Sequence, residues 1–200
     1  MARLFNIPGI NTALESEVIG KLNKEIEYTI YAELKDMGQL EKAPVMELHE
    51  QWRLPIDTEA PVKLRMRLIN NRRFTVTAKK SIQGVEGYYE ITTDVPEDMF
   101  SMLKLAAVDG YKKTRYVFPV TGSDRKWEVD VFMDKSGKPH NWVKIDLEVQ
   151  SMDEAIPPFE LTVGKFIIEG KTTPEEDKFI NRLWNDEWLK IETGVVKTSI

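Results

Sequence analysis

The stretch from residue 62 to residue 80, VKLRMRLINNRRFTVTAKK, constrains the fold most because charged and apolar residues alternate along it. Alternation with a period of two predicts β-strands whose two faces meet different surroundings. Asn70 and Asn71 divide the stretch, and asparagine tolerates the positive φ angles of a tight hairpin turn. The sequence therefore predicts two antiparallel strands whose polar face carries these basic side chains: Lys63, Arg65, Arg67, Arg73 and Lys79.

Later segments repeat the alternation with acidic residues on the polar face. Residues 127–131 alternate Glu128 and Asp130 with apolar residues, and residues 142–150 present Lys144, Asp146 and Glu148 in the same way. Alternation alone favours an open sheet with solvated polar faces. Strands that carry both charge signs also suit a closed barrel with a charged interior, whose apolar outer face needs helices to cover it.

Composition restricts the kind of metal site. The chain of 200 residues contains no cysteine, which excludes thiolate ligands and a cysteine nucleophile. His49 and His140 are the only histidines, so a histidine-rich zinc site is excluded as well. Any metal would therefore be held by carboxylates, which favours Mg²⁺ or Mn²⁺.

Length, charge and hydropathy indicate the general class. A hydrophobic content of 42% suits one domain with a real core. We expect an arm and a helix over residues 1–24 and the main domain over residues 25–200. The net charge of −5 argues against general nucleic-acid binding. No apolar run approaches the ~20 residues of a membrane span. We expect a cytoplasmic protein without membrane partners, and a homodimer is compatible with the sequence.

The segment from Glu25 to Leu34 fits two conformations. As a helix it would extend the preceding one and align Ile26, Ile30 and Leu34 at a spacing of four. As a strand it would place Glu25, Glu27 and Thr29 on one face. Its many β-branched and aromatic residues favour the strand.

The remaining elements follow from local signals. We expect a short helix within residues 35–46, strands at 48–54 and 88–92, and a helix from Pro96 with Met99 and Phe100 on its apolar side. Pro174 and the pair Thr173 and Glu176 predict the start of a last helix, because a threonine followed three residues later by glutamate forms a capping box.

Short charged motifs follow one another along these predicted strands. In order, they are Glu25-Ile-Glu27-Tyr-Thr29, Glu50-Gln-Trp-Arg-Leu54, Arg65-Met-Arg67, Thr77-Ala-Lys79, Glu90, Lys113-Thr-Arg115, Glu128-Val-Asp130 and Asp146-Leu-Glu148. In kind and order they resemble the strands of the triphosphate tunnel metalloenzymes, also called the CYTH family. One motif departs from the family pattern, because Thr29 stands where these proteins usually have lysine.

The resemblance implies an α+β fold with a closed antiparallel β-barrel, which forms a tunnel with a charged interior and helices outside. The implied phosphate-binding residues are Arg65, Arg67, Lys79, Lys113 and Arg115. The implied metal ligands are Glu25, Glu27, Asp146 and Glu148. The implied catalytic residues are Glu27, Lys79 and Glu148. Glu90, Glu128 and Asp130 would either support the arginines or bind metal.

This chemistry agrees with what a triphosphate needs. Its four or so negative charges require several cations along the chain, and arginine binds phosphate oxygens in pairs. We expect a phosphohydrolase that uses Mg²⁺ or Mn²⁺ and acts on a nucleoside triphosphate, thiamine triphosphate or tripolyphosphate. The alternatives are a nucleotidyl cyclase and a weakly catalytic nucleotide-binding or sequestering protein. With Thr29 in place of lysine, the sequence predicts tight binding with slow turnover.

Overall fold

The computed structural model describes residues 23–55, 62–81 and 87–185. The helix expected before residue 23 lies outside what it describes. So do the side chains of Trp184 and Trp188, which the sequence pattern of the last helix predicts in its buried stripe. The strands are β1 (Asn23–Leu34), β2 (Val45–Arg53), β3 (Val62–Ile69), β4 (Arg73–Ser81), β5 (Tyr88–Asp94), β6 (Asp109–Pro119), β7 (Lys126–Met133), β8 (Pro139–Val149) and β9 (Val163–Ile168). The helices are a 3₁₀ helix (Met37–Lys42), α1 (Glu97–Lys104) and α2 (Pro174–Asn185).

Eight of these strands form a ring. Their order is β5-β4-β3-β2-β6-β7-β8-β1, and β5 pairs again with β1 to close it. Every pairing is antiparallel, and β9 pairs with β1 outside the ring. The described chain is thus mainly an antiparallel sheet with few helices.

The ring closes through a short seam. Residues 23–25 of β1 pair with β5, whereas residues 30–34 of the same strand pair with β9. Gly87 lies just before β5 at a φ of 85°. A Cβ atom at Gly87 would lie 2.2 Å from the carbonyl oxygen of Glu25, so only glycine permits this approach. The seam therefore depends on one residue without a side chain.

The segment that begins at Glu25 is a strand and not a helix. It pairs with β8 over eight positions, from Ile26 opposite Val149 to Glu33 opposite Trp142. Glu27 lies opposite Glu148, and Thr29 lies opposite Asp146. The strand also begins at Asn23, inside the arm and helix expected over residues 1–24. Long-range pairing therefore selects one of the two conformations that the local pattern allows.

The predicted hairpin between β3 and β4 is present. Asn70 and Asn71 have φ angles of 51° and 56°, and the amide of Arg72 donates to the carbonyl of Ile69 at 3.1 Å. Other boundaries differ from the predicted ones by a few residues. The second strand begins at Val45 instead of residue 48, and the helix expected from Pro96 begins at Glu97.

The apolar faces of the strands point out of the ring and form two clusters. The larger joins β1, β7 and β8 and includes Ala32, Val129 and Ile145, which are fully buried. The smaller places Phe100 of α1 against Trp52, with the ring centroids 5.6 Å apart. Helix α1 thus covers one outer face of the sheet, as expected.

The helices differ from the predictions in one side chain. Met99 was expected on the buried side of α1, yet 48% of it is exposed, because Phe100 faces the sheet. The capping box of α2 is confirmed: the Thr173 amide donates to Glu176 at 2.8 Å, and the Glu176 amide donates to the Thr173 hydroxyl at 3.3 Å. Among the described helices, none has the length and apolar character to cross a membrane.

Candidate functional site

The ring encloses a cavity of about 640 Å³ whose wall is charged. The side chains that line it alternate along the strands with those of the outer clusters, as the pleat of a strand requires. All of the site residues predicted from the sequence line this cavity: Glu25, Glu27, Arg65, Arg67, Lys79, Glu90, Lys113, Arg115, Glu128, Asp130, Asp146 and Glu148.

Asp130 is the centre of one ion-pair network. Arg115 donates to it through Nε at 2.7 Å and through Nη2 at 2.8 Å, and Lys113 donates to it as well. Burial opposes ionisation of this carboxyl, but Arg115 and Lys113 hold the pKa of Asp130 well below its ordinary value. Arg115 also contacts Glu128, so its donors are largely used within the protein. This pattern is typical of buried charges that neutralise one another.

Lys113 belongs to the same network, but among the described residues it has no carboxylate partner of its own. Its side chain is 3% exposed and shares Asp130 with Arg115. Burial, together with the positive charges of Arg115 and Arg67, lowers the pKa of Lys113 to about 7. Burial and the repulsion from these two arginines thus outweigh the attraction of Asp130.

Arg67 is the clearest excess cation. Its Nε donates to the amide oxygen of Gln51 at 3.0 Å, and no carboxylate among the described residues forms an ion pair with it. Burial and the neighbouring charges of Arg65 and Arg115 lower the pKa of Arg67 to about 10. Gln51 is itself held by Tyr111, at 2.5 Å from its Nε2 to the phenol oxygen. The structure thus holds a guanidinium in place without neutralising it.

Lys79 and Arg65 share a second set of carboxylates. Lys79 lies 3.1 Å from an oxygen of Glu27 and 3.7 Å from an oxygen of Glu90. Arg65 donates to both oxygens of Glu90, at 2.9 and 3.0 Å. The buried Nε of Arg65 has no hydrogen-bond partner within the described part of the chain. Glu90 therefore supports the cations, while Arg65 retains one unused donor.

Glu25 and Glu148 are the carboxylates in excess. No hydrogen bond or ion pair to either is present among the residues that the structure describes. Burial and the charge of Glu90 raise the pKa of Glu25 to about 7, and burial and the charge of Glu128 raise that of Glu148. Negative charge is thus concentrated where β1 meets β5 and β8.

The carboxylates can be compared with the needs of a divalent cation. Within residues 23–55, 62–81 and 87–185, no three acidic or imidazole groups converge on one point. Glu27 and Glu148 nevertheless lie directly opposite each other, and Glu25 repels Glu148. Mg²⁺ is commonly bound by only one or two carboxylates together with water and substrate phosphates. Glu27 and Glu148 are therefore two facing carboxylates, the number that such a cation commonly takes from a protein.

Asp146 is engaged differently from these carboxylates. Lys144 donates to both of its oxygens, at 2.6 and 2.5 Å, and the Thr29 hydroxyl donates to Oδ1 at 2.6 Å. The sequence singled out Asp146 as a metal ligand and did not include Lys144 in the phosphate-binding set. The signal was present, because Lys144 has the same parity on β8 as Asp146 and Glu148.

His49 also lines the cavity. It is 2% exposed, and its Nε2 lies 2.9 Å from Glu47. Burial and the charge of Lys113 lower the pKa of His49 to about 4, so the imidazole is neutral near pH 7. Glu47 and His49 therefore add no positive charge to the wall.

The comparisons with known proteins give a limited likeness. No protein-family model and no curated protein matches the chain. Two similar solved structures are described as the hypothetical protein NE1496 and the inorganic triphosphatase NE1496, at 24% and 23% identity. Each covers 74% of this chain and 91% of its own, with a TM-score of 0.45. Values this low do not assign a function to this chain.

Proposed function

We propose that this protein is a divalent-metal-dependent phosphohydrolase of the triphosphate tunnel type, which cleaves the terminal phosphate from a small triphosphate. In this proposal the ring of strands is a closed barrel and its cavity is the tunnel. The proposal rests mainly on the surroundings of Arg67, which has no carboxylate partner among the described residues. A guanidinium that is mostly surrounded by protein and has no carboxylate partner is a costly arrangement, and a bound anion compensates it.

The charges around Arg67 match a polyphosphate better than a single phosphate. Arg65 has an unused donor, and Lys113 shares its carboxylate partner, Asp130, with Arg115. A triphosphate carries about four negative charges along an extended chain, so it can meet several of these groups at once. Arginine forks give paired hydrogen bonds to phosphate oxygens, and lysine adds point charge.

The carboxylates of β1 and β8 are the reason to propose a metal. Glu25, Glu27 and Glu148 would repel a polyanion unless a divalent cation lay between them and the phosphates. A bound Mg²⁺ or Mn²⁺ would supply charge neutralisation and a polarised water for attack on phosphorus. The residues of the chain then position the terminal phosphate, since phosphoryl transfer depends chiefly on orientation and electrostatic stabilisation. Lys79, between Glu27 and Glu90, is placed to hold these two carboxylates in position.

A substrate panel tests this function. Tripolyphosphate, ATP, GTP and thiamine triphosphate are incubated with the purified full chain, with Mg²⁺, with Mn²⁺ and with EDTA, and orthophosphate is measured. We expect orthophosphate release from at least one triphosphate with either metal and none with EDTA. A cyclic nucleotide with pyrophosphate would identify a cyclase instead. Binding of a triphosphate with no product would identify a sequestering protein, and no binding at all would refute the site.

A further inference from the structure

Lys144 is a cavity cation that is only partly used within the protein. Its side chain is 20% exposed, and its ammonium group donates to the two oxygens of Asp146. An ammonium group has three donors. The third has no acceptor among the residues that the structure describes, and Lys144 lines the cavity. By contrast, Arg115 donates its hydrogen bonds to Asp130 and Glu128.

Thr29 and Asp146 restrict where this ammonium can lie. The two residues face each other across β1 and β8, and the Thr29 hydroxyl donates to the same carboxylate oxygen that accepts from Lys144. Thr29 is 5% exposed and Asp146 is 6% exposed, so water competes little for these hydrogen bonds. A long lysine side chain is otherwise flexible, and fixing its carboxylate partner from two sides reduces the freedom of the ammonium.

We propose that Thr29 and Asp146 position Lys144 as an anion-binding residue, so that its third donor contacts a phosphate oxygen of the bound triphosphate. The inference rests on the proposed function and extends it to Lys144 of β8, which is not in the phosphate-binding set predicted from the sequence. In this inference Asp146 holds the ammonium group of Lys144, whereas Glu25, Glu27 and Glu148 remain available to a metal ion. Threonine at position 29 is then part of the binding apparatus, because a cation is supplied from the facing strand.

Equilibrium binding of tripolyphosphate in EDTA tests the inference without the metal. Lys144→Met removes the ammonium, and we expect the affinity to fall about tenfold to a hundredfold, the usual range for one hydrogen bond to a charged group. Lys112→Met is the matched control, since Lys112 is 46% exposed, pairs with Glu50 and does not line the cavity. Its affinity should equal that of the parent protein.

Lys144→Met leaves Asp146 buried without its cation and could fail to fold, so a second variant removes both charges. The double variant Lys144→Met with Asp146→Asn keeps the net charge of the protein and leaves no buried carboxylate at position 146 without its cation. We expect it to lose the same affinity as Lys144→Met. Normal binding by this folded double variant would overturn the inference, because the ammonium would then be only a structural partner of Asp146.

Two further variants test the positioning itself. Thr29→Val removes the hydroxyl at nearly constant volume and should weaken binding severalfold, whereas Thr29→Ser should restore it. The double variant Thr29→Lys with Lys144→Thr moves the positive charge from β8 to β1. It should recover part of the affinity that Lys144→Thr alone loses. If the parent protein binds no tripolyphosphate, the proposed function fails. If the parent binds and every Lys144 variant binds equally well, only this inference fails.

Discussion

Replacing Arg67 with methionine should make the protein more stable and its anion binding weaker. Arg67 donates only to the neutral Gln51 among the described residues, and its pKa is lowered from the ordinary 12.5 to about 10. Each pKa unit corresponds to about 1.4 kcal/mol, so holding this charge costs the empty protein about 3 kcal/mol. Methionine fills a similar space without that charge.

The gain should be smaller than this cost, because Gln51 loses its donor. A buried acceptor left without a partner costs about 1–3 kcal/mol, which leaves a net gain of up to about 2 kcal/mol. For a chain of this size, each kcal/mol moves the midpoint of thermal unfolding by roughly 2–4 °C. We therefore expect an increase of a few degrees in the absence of ligand.

Thermal unfolding and tripolyphosphate binding are measured on the same preparations. Arg125→Met is the matched control, because Arg125 pairs with Glu154 away from the cavity. It should lose a little stability and bind like the parent protein. Tripolyphosphate should raise the melting temperature of the parent by more than that of the Arg67 variant. Loss of stability in Arg67→Met with unchanged binding would show that the guanidinium has a structural role, and the reasoning would be refuted.

Three other experiments test separately the role of Lys113, the role of Glu148 and the closure of the ring at Gly87. Tripolyphosphate affinity, measured in EDTA, should fall as the pH rises from about 6 to 8, because Lys113 loses its proton in this window; Lys113→Arg should remove this fall. Glu148→Gln should abolish metal-dependent phosphate release and leave tripolyphosphate binding in EDTA intact, whereas the exposed Glu160→Gln should change neither. Gly87→Ala should lower the free energy of urea unfolding by more than Gly137→Ala does, since both residues have a positive φ but only the first meets neighbouring atoms.

Each of these expectations has a contrary result. A pH dependence that persists in Lys113→Arg would place the titrating group elsewhere. Turnover that survives Glu148→Gln at parent rates would remove this carboxylate from the metal site. Equal losses in the two glycine variants would mean that the contact between Gly87 and Glu25 does not limit the closure of the ring.

Local sequence determined the composition of the cavity wall. A strand places every second side chain on the same face, so the parity of Arg65 and Arg67 follows from their spacing alone. The same rule applies to Glu128 and Asp130 and to the residues of β8. The turn at Asn70 and the cap at Thr173 were also predicted, because their chemistry acts over four residues or fewer.

Tertiary structure decided which charges meet. The strand conformation of residues 25–34 depends on pairing with β8, more than a hundred residues away, and local propensity permitted a helix as well. The register of that pairing sets Thr29 opposite Asp146, and only this alignment brings the hydroxyl to the carboxylate that holds Lys144. Strand register depends on how the whole ring closes and packs, so spacing along the chain could name the charged residues but not their partners.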